Sequence, residues 1–180
     1  MNEEGIAVRR LDESDLEQVH EIDVSERIAL IYRSIDGALI AEPIEGEREG
    51  WDRARWQSRI SDWRRDLEPD VWLGAFAGDR MAGLASLRYE LEPGMAQLTS
   101  LHVDHAQRRM GIARALLKQV IDLIRSYGAN ELYVSASETE SAVGFYLNQG
   151  FRPVTAPHPR LFALEPNDIH MVRPVGRAQP

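Results

Sequence analysis

The sequence predicts an α+β fold in which most strands form an antiparallel sheet. Three strand-like runs follow one another with tight turns between them, at residues 71–77, 80–90 and 96–103. Consecutive strands joined by such short turns form an antiparallel meander. Residues 111–127 carry apolar side chains at helical spacing and predict a long amphipathic helix. Residues 131–136 then predict a further strand.

The N-terminal part of the chain predicts a strand, a helix and a hairpin. Residues 6–10 alternate apolar and polar side chains, as a half-buried strand does. Apolar side chains recur at helical spacing over residues 16–23. Two short apolar runs, residues 28–34 and 38–41, flank the dipeptide Asp36-Gly37, which is a strong signal for a hairpin turn.

A loop and two more helices are predicted from composition and from stop signals. Residues 42–50 are polar, with a proline and two glycines, and predict a loop. Residues 51–67 have apolar side chains at helical spacing, and Pro69 prevents the helix from continuing. Residues 140–148 predict a short helix that ends before Gly150.

The C-terminal part predicts short extended segments and then a tail. Extended structure resumes at residues 151–154, and two short apolar runs follow at residues 161–164 and 169–172. No linker divides the chain, so we expect one domain over residues 1–173. Residues 174–180 are expected to form a flexible tail.

Composition excludes several classes of function. The 180 residues contain no cysteine, which removes disulfides, thiolate zinc sites and a cysteine nucleophile. The lack of cysteine fits a reducing cytoplasm, where we expect the protein. A net charge of −8 argues against a nucleic-acid partner, because such binders carry a basic face. No signal peptide and no membrane span are predicted.

The histidines do not indicate a metal site. His105, His158 and His170 have spacings that match no zinc signature, so surface or structural roles are expected for them. We therefore predict no metal.

The join between the strand ending at Val103 and the following helix carries the most informative motif. The first backbone N–H groups of a helix lack partners within it, and the helix dipole adds positive charge there, so residues 108–113 form an anion site. Gly111 and the small Ala113 let a ligand approach the backbone. Three side chains add positive charge, namely Arg108, Arg109 and Arg114. Alone, the same residues would also fit an ordinary loop with solvated arginines.

Two motifs in this order resemble those of the GCN5-related N-acetyltransferase (GNAT) superfamily. The family's cofactor motif is Gln/Arg-x-x-Gly-x-Gly/Ala, which Arg108, Gly111 and Ala113 satisfy. The family's later motif is Asn-x-x-Ala-x-x-x-Tyr followed by Gly-Phe. This motif is matched by Ala142, Tyr146 and Gly150-Phe151, whereas Thr139 stands where many relatives have the asparagine. The resemblance extends over residues 71–153 and includes the N-terminal strand and helix.

The resemblance implies a mixed, mostly antiparallel twisted sheet with a V-shaped splay, flanked by helices on both faces. It implies acetyl-coenzyme A as the co-substrate. The pyrophosphate would bind the turn, and the pantetheine arm would pair with the backbone of the strand, which is expected to contain a bulge. The expected cofactor contacts are Leu101, His102, Val103, Arg108, Arg109, Met110, Gly111, Ile112, Ala113, Arg114, Thr139 and Tyr146.

The resemblance also assigns a catalytic role to Tyr146. Relatives place there a general acid that gives a proton to the coenzyme A thiolate, which suits a phenol near the thioester. The alternative is that Tyr146 only packs against the cofactor.

The proton acceptor is left open by the sequence. Some relatives have a glutamate or histidine at the positions of Gln97 or Thr99, neither of which is a competent base, although both could hold a relaying water. Strict strand alternation places His102 on the opposite face from Gln97 and predicts a structural role for it. Glu90 and Glu92 are further candidates, and an amine that is already neutral needs no strong base.

The acceptor side is assigned to residues 25–67, which exceed the compact family core. Three tryptophans and a tyrosine offer aromatic surface for a cationic substrate, although tryptophans at helical spacing more often pack in a core. These residues are Tyr32, Trp51, Trp56 and Trp63. Asp168 and His170 are further candidates for lining the acceptor end.

These observations predict an acetyl-coenzyme A-dependent N-acetyltransferase that acetylates a primary amine by direct attack in a ternary complex. The alternatives are a catalytically weak sensor that binds coenzyme A or its acyl form, and a non-enzymatic interaction domain. The acceptor is a small molecule or a peptide that the sequence does not identify. No residue of the sequence determines the length of the acyl chain. Homodimers are frequent in the family, but no residue here establishes one.

Overall fold

The computed structural model describes residues 5–176, which form nine strands and four α-helices. The strands are β1 (Ile6–Arg10), β2 (Glu26–Ile35), β3 (Ala38–Arg48), β4 (Val71–Ala77), β5 (Arg80–Glu92), β6 (Met95–Val103), β7 (Glu131–Ala136), β8 (Arg152–Pro153) and β9 (Ile169–Pro174). The helices are α1 (Arg53–Asp66), α2 (Ile112–Tyr127), α3 (Glu140–Asn148) and α4 (Pro159–Leu164).

Seven strands form one sheet, and β2 and β3 form a separate hairpin. The order in the large sheet is β1-β4-β5-β6-β7-β9-β8. All of its neighbours are antiparallel except β6 and β7, which are parallel because α2 crosses between them. The predicted mixed, mostly antiparallel sheet is therefore confirmed.

Helices cover both faces of this sheet and divide the core into two layers. One layer packs α2 and α3 on the sheet, with Leu116 and Val143 fully buried. The other layer packs α1 on the opposite face, through Trp56 and Trp63. The predicted arrangement with helices on both faces is confirmed. Within residues 5–176, no helix combines the length and the apolar character that crossing a bilayer requires.

The sheet splays where β6 and β7 diverge. Their parallel pairing runs from Met95–Glu131 to Leu98–Val134. Within the described residues, β6 from residue 100 to residue 103 pairs with β5 but not with β7. This divergence is the V-shaped splay that the resemblance implied, and it leaves one backbone edge of β6 open.

The structure differs from the local predictions in three places. Residues 42–48 belong to β3 and not to a loop, because Pro43 is accommodated at a register shift between Ile28 and Leu30 of β2. The first helical turn, Asp15–Glu21, is a 3₁₀ helix. Regular structure also continues beyond residue 173, after which the tail was predicted. Pro174 is the last residue of β9, and the carbonyl of buried Val175 accepts a hydrogen bond from Arg125 Nε at 2.6 Å. Residues 177–180 lie outside the described residues.

Candidate active site

A cleft of about 390 Å³ opens at the splay. The end of β6 forms one wall, the start of α2 forms the floor, and α3 forms the opposite wall. Eleven of the twelve predicted contact residues line it, namely Leu101, His102, Val103, Arg108, Arg109, Gly111, Ile112, Ala113, Arg114, Thr139 and Tyr146. Met110 is not among the lining residues, and its side chain is 56% exposed.

The turn before α2 presents backbone N–H groups to the cleft. Arg109 and Gly111 both have left-handed backbones, with φ of 67° and 81°. Such residues bring successive N–H groups to one concave side of a turn. The first helical hydrogen bond runs from Ala115 N to Gly111 O, so the N–H groups of residues 112–114 have no partner within the helix. The turn therefore has the geometry of an anion site.

A buried carboxylate fixes this turn to the N-terminal part of the chain. Asp104 is fully buried, and its Oδ1 accepts hydrogen bonds from Asp23 N at 2.9 Å and from Arg80 at 3.3 Å. His105 N in turn donates to Asp23 O at 2.7 Å. These contacts connect residues 104 and 105, just before the turn, to the segment that leads into β2, and the start of β2 forms another part of the cleft wall.

The cleft wall also includes residues that the sequence did not indicate. Glu26 at the start of β2 is buried, accepts a hydrogen bond from Ser141 of α3, and pairs with Arg48 of β3 at 3.4 Å. Arg48 also donates to Ser137 at 2.8 Å. Two of these contacts, Glu26–Ser141 and Arg48–Ser137, join positions more than 80 residues apart, so no local pattern could have revealed them.

Tyr146 is held inside the cleft in its protonated form. Only 6% of it is exposed, and its ring packs edge to face on Phe145 and Phe151 with centroids 5.2 Å away in both cases. Burial, together with the negative charge of Asp168, raises the pKa of its phenol well above the usual range. The phenol therefore carries a proton at neutral pH, as a general acid must.

A bulge at Thr99 changes which residues of β6 share a face. Ser86 pairs with Ser100, but the next residue, Leu87, pairs with Leu98, so Thr99 is the extra residue. The predicted bulge is thereby present.

The bulge reverses the alternation beyond it. Gln97 is paired with Tyr133 and His102 with Leu84, and both partners belong to the α1-side core. The prediction that His102 and Gln97 lie on opposite faces is therefore wrong, because it assumed an unbroken strand.

His102 lies among the tryptophans of the α1 side. Its ring centroid is 5.3 Å from Trp51, 5.5 Å from Trp56 and 5.3 Å from Trp63. Trp56 and Trp63 are buried in the core, so they offer little surface to an acceptor. Burial, assisted by nearby arginines, lowers the pKa of His102 to about 3, and the imidazole is neutral at pH 7.

The other predicted proton acceptors are poorly placed for that role. Gln97 is 1% exposed, and its Oε1 has no hydrogen-bond partner among the described residues. The hydroxyl of Thr99 is bonded to Ser86 at 2.6 Å. Glu90 and Glu92 lie at the C-terminal end of β5, at the end of the sheet remote from the splay.

Asp168, a candidate for lining the acceptor end, is not among the residues that line this cleft, and it lines two other cavities instead. Burial and the neighbouring Glu165 and Glu138 raise its pKa to about 7. His170 is turned away into the α1-side layer, where Nδ1 lies 2.8 Å from Tyr133 Oη and Nε2 lies 3.0 Å from Glu165 O. Within residues 5–176, no group of three or more histidine, aspartate or glutamate side chains is arranged to hold a metal ion.

Comparison with solved structures shows the fold. The nourseothricin acetyltransferase is 18% identical, with a TM-score of 0.73 over 95% of this chain and 99% of that chain. The ribosomal-protein-S18-alanine N-acetyltransferase from Escherichia coli is also 18% identical, with a TM-score of 0.61 over 97% and 96%. The PaiA N-acetyltransferase from Thermoplasma acidophilum, in complex with coenzyme A, is 16% identical, with a TM-score of 0.59 over 94% and 99%.

Sequence comparison places the chain in a family. No curated protein matches it significantly. A family model described as the acetyltransferase (GNAT) family matches residues 35–151, well over half of the 180 residues. This chain therefore belongs to the acetyltransferase (GNAT) family of acyltransferases.

Proposed function

We propose that the protein is an N-acetyltransferase that moves the acetyl group of acetyl-coenzyme A to a primary amine. The observation that carries the proposal is the cleft, which joins an open strand edge, an anion-binding turn and a buried phenol. Tyr146 and the turn at residues 108–113 line the same 390 Å³ space. The PaiA N-acetyltransferase with the same fold binds coenzyme A, which supports this choice of co-substrate.

The residues of the cleft suit each part of this co-substrate. The N–H groups of residues 112–114 and the guanidinium of Arg108 would hold the pyrophosphate. Leu101 and Val103 lie on the open edge of β6, where the amides of the pantetheine arm would add like a strand. When bound, the co-substrate supplies an activated acetyl thioester. Tyr146 would then protonate the leaving sulfur.

A ternary complex with direct attack is the mechanism that we propose. The chain has no cysteine to form an acyl-enzyme through sulfur. A role as a coenzyme A sensor is the second candidate, because Gln97 stands where some relatives have a catalytic glutamate. The two candidates differ in turnover and not in binding.

An acceptor screen with thiol detection tests the proposal. The purified protein is incubated with acetyl-coenzyme A and a panel that contains nourseothricin, polyamines, lysine peptides and a peptide with an N-terminal alanine. We expect amine-dependent release of free thiol. Cofactor binding without turnover on any amine would favour the sensor, and absence of micromolar binding by calorimetry would reject both candidates.

Arg108→Gln provides a matched test of the cofactor site. Loss of its charge should weaken binding of acetyl-coenzyme A by about tenfold, which is about 1.4 kcal/mol. Lys118→Gln is the control, because Lys118 is exposed on α2 and pairs with Asp122 outside the cleft. Equal affinities of the two variants would contradict the assignment of the turn.

A further inference from the structure

Asp168 stands at the fork of the splayed sheet. It directly precedes β9, whose first residue, Ile169, pairs with Ala136 at the end of β7. That end of β7 is the part that diverges from β6. Asp168 is also close enough to Tyr146 for its negative charge to raise the pKa of the phenol. The carboxylate before β9 and the phenol of α3 therefore both lie near the splay.

Two cavities meet at Asp168. One, of about 330 Å³, lies between α1 and the segment that joins α4 to β9. The other, of about 630 Å³, lies under the β2–β3 hairpin and is lined by Tyr32, Glu138 and Phe162 as well as by Asp168. Neither cavity includes the turn at residues 108–113, so neither is the space assigned to the co-substrate. The larger one adjoins that space, because its Glu138 directly precedes Thr139, which lines the cleft.

The Asp168 carboxylate is not engaged in the fold. Within residues 5–176, no hydrogen bond or ion pair to its side-chain oxygens is found, and only its backbone N–H donates, to Glu165 O at 3.3 Å. Five ionisable groups act on it or are acted on by it. One, Glu165, belongs to the same segment between α4 and β9, and the other four come from other parts of the chain: Glu138, Arg48, Arg59 and Tyr146. The carboxylate is partly exposed and is therefore accessible to a ligand in either cavity.

We propose that Asp168 accepts the proton of the acceptor amine, which enters as a primary ammonium group through the 630 Å³ cavity under the β2–β3 hairpin. The inference rests on the proposed function and adds to it the group that deprotonates the nucleophile. Asp36, Glu138 and Asp168 line this cavity, and the charge of Arg33, which also lines it, is paired with Glu42 at 2.7 Å. The lining therefore favours a cationic acceptor over a neutral or acidic one.

The proton and electron balance is complete without a further reactant. One proton passes from the ammonium group to the Asp168 carboxylate and then to solvent. The freed lone pair on nitrogen forms the C–N bond at the acetyl carbonyl, and the C–S bond breaks with its electron pair on sulfur. The sulfur takes the proton of Tyr146. The second proton lost by nitrogen, as the amide forms, restores the phenol.

The ionisation of Asp168 suits this role. A general base works best when its pKa lies near the operating pH. Burial and the carboxylates of Glu165 and Glu138 raise the pKa of Asp168 to about 7, while Arg48 and Arg59 act in the opposite direction. By comparison, His102 has a pKa lowered to about 3 and is a much weaker base.

Asp168→Asn tests the inference, with the best amine from the acceptor screen as substrate. We expect kcat/KM at pH 7 to fall about 100-fold, the lower end of what a general base contributes. Wild-type kcat/KM should rise through about pH 7 as Asp168 ionises. The kcat/KM of the variant should not show this rise near pH 7. The difference in kcat/KM between the variant and the wild type should become smaller at higher pH, where the amine is already neutral. Asp168→Glu, which keeps the carboxylate, should recover part of the activity.

Two controls separate the outcomes. Asp122→Asn removes an exposed carboxylate on α2 and should leave the pH profile unchanged. Calorimetric binding of coenzyme A to Asp168→Asn should match the wild type, which shows that the variant is folded. An active wild type with an equally active Asp168→Asn overturns only this inference, as does a variant that raises KM alone and keeps the pH step. A wild type that binds coenzyme A but acetylates no amine overturns the proposed function as well.

Discussion

The imidazole of His102 stacks on the indole of Trp63, with ring centroids 5.3 Å apart and ring planes inclined by 23°. This contact exists because the bulge at Thr99 turns His102 toward α1. The ring is neutral at pH 7, because burial and nearby arginines lower the pKa of His102 to about 3. The same residue therefore lines the cleft and anchors it to the α1-side core.

This burial should make the protein less stable in mild acid. In the unfolded chain His102 binds a proton below about pH 6.5, whereas in the folded chain it does so only near pH 3. The unfolded state thus holds more protons between these values, and the free energy of unfolding should fall as the pH drops from 6.5 toward 3. The slope from this one residue is at most about 1.4 kcal/mol per pH unit.

Urea unfolding of wild type and His102→Phe at pH 7, 5.5 and 4.5 measures this effect. Phenylalanine preserves an aromatic ring beside Trp63 but cannot take up a proton. The variant should lose less stability than the wild type between pH 7 and 4.5. Parallel stability curves for the two proteins would show that His102 titrates normally in the fold.

The bulge itself depends on a small buried network of hydroxyl groups. Ser86 of β5 is fully buried, and its Oγ lies 2.6 Å from Thr99 Oγ1 and 2.7 Å from Ser100 Oγ. Ser86→Ala should lower the free energy of unfolding by about 1–3 kcal/mol, because it leaves buried hydroxyl groups without their partner.

Ser61→Ala is the matched control for this network. Ser61 lies on the exposed side of α1, where its hydroxyl donates to Gln57 O at 3.0 Å. Its replacement should change stability by no more than about 0.5 kcal/mol. If urea unfolding shows equal effects for the two variants, the hydroxyl network does not stabilise the bulge.

Most strands of the sheet could be predicted from local sequence patterns, but the bulge at Thr99 could not be located in this way. Residues 6–10, 71–77 and 131–136 have the predicted strand boundaries because apolar alternation and turn residues are local signals. The face of His102 depends instead on one extra residue opposite Ser86, which is a tertiary feature. The extent of β3 also escaped prediction, because pairing with β2 outweighed the turn-like composition of residues 42–48.

The candidate site likewise combines features that local sequence predicts with features that depend on tertiary structure. The turn at residues 108–113 and the position of Tyr146 follow from spacing within one short stretch each. The carboxylate of Glu26 joins the cleft only because the β2–β3 hairpin folds over α3, with Tyr32 N donating to Glu138 O at 2.8 Å. The chemistry of Asp168 depends on burial, which no local sequence pattern reports.

Tyr146→Phe isolates the proposed acid role. The ring and its contacts with Phe145 and Phe151 remain, and only the hydroxyl is lost. We expect kcat to fall about 100-fold with little change in coenzyme A affinity, measured by thiol release and calorimetry. Tyr127→Phe is the control, since Tyr127 is 56% exposed and stacks on Tyr89 outside the cleft. An unchanged kcat would leave Tyr146 with a packing role only.

Two glycines that face different surroundings should respond in opposite directions to alanine. A Cβ on Gly144 within α3 meets nothing within 4 Å, so Gly144→Ala should raise the free energy of unfolding by about 0.5–1 kcal/mol. A Cβ on Gly83 of β5 would lie 2.9 Å from Ile112 and 3.0 Å from Leu116. Gly83→Ala should therefore cost about 1–3 kcal/mol.

The Gly83→Ala substitution should also weaken binding of the co-substrate. Ile112 is the first residue of α2, so a side chain at position 83 must displace the end of the helix that presents the N–H groups of the turn. We expect calorimetry to show lower affinity for coenzyme A in Gly83→Ala and wild-type affinity in Gly144→Ala. Unfolding in urea gives the stability of each. If the Gly83→Ala variant is destabilised but binds coenzyme A normally, the added side chain displaces the sheet and not the start of α2.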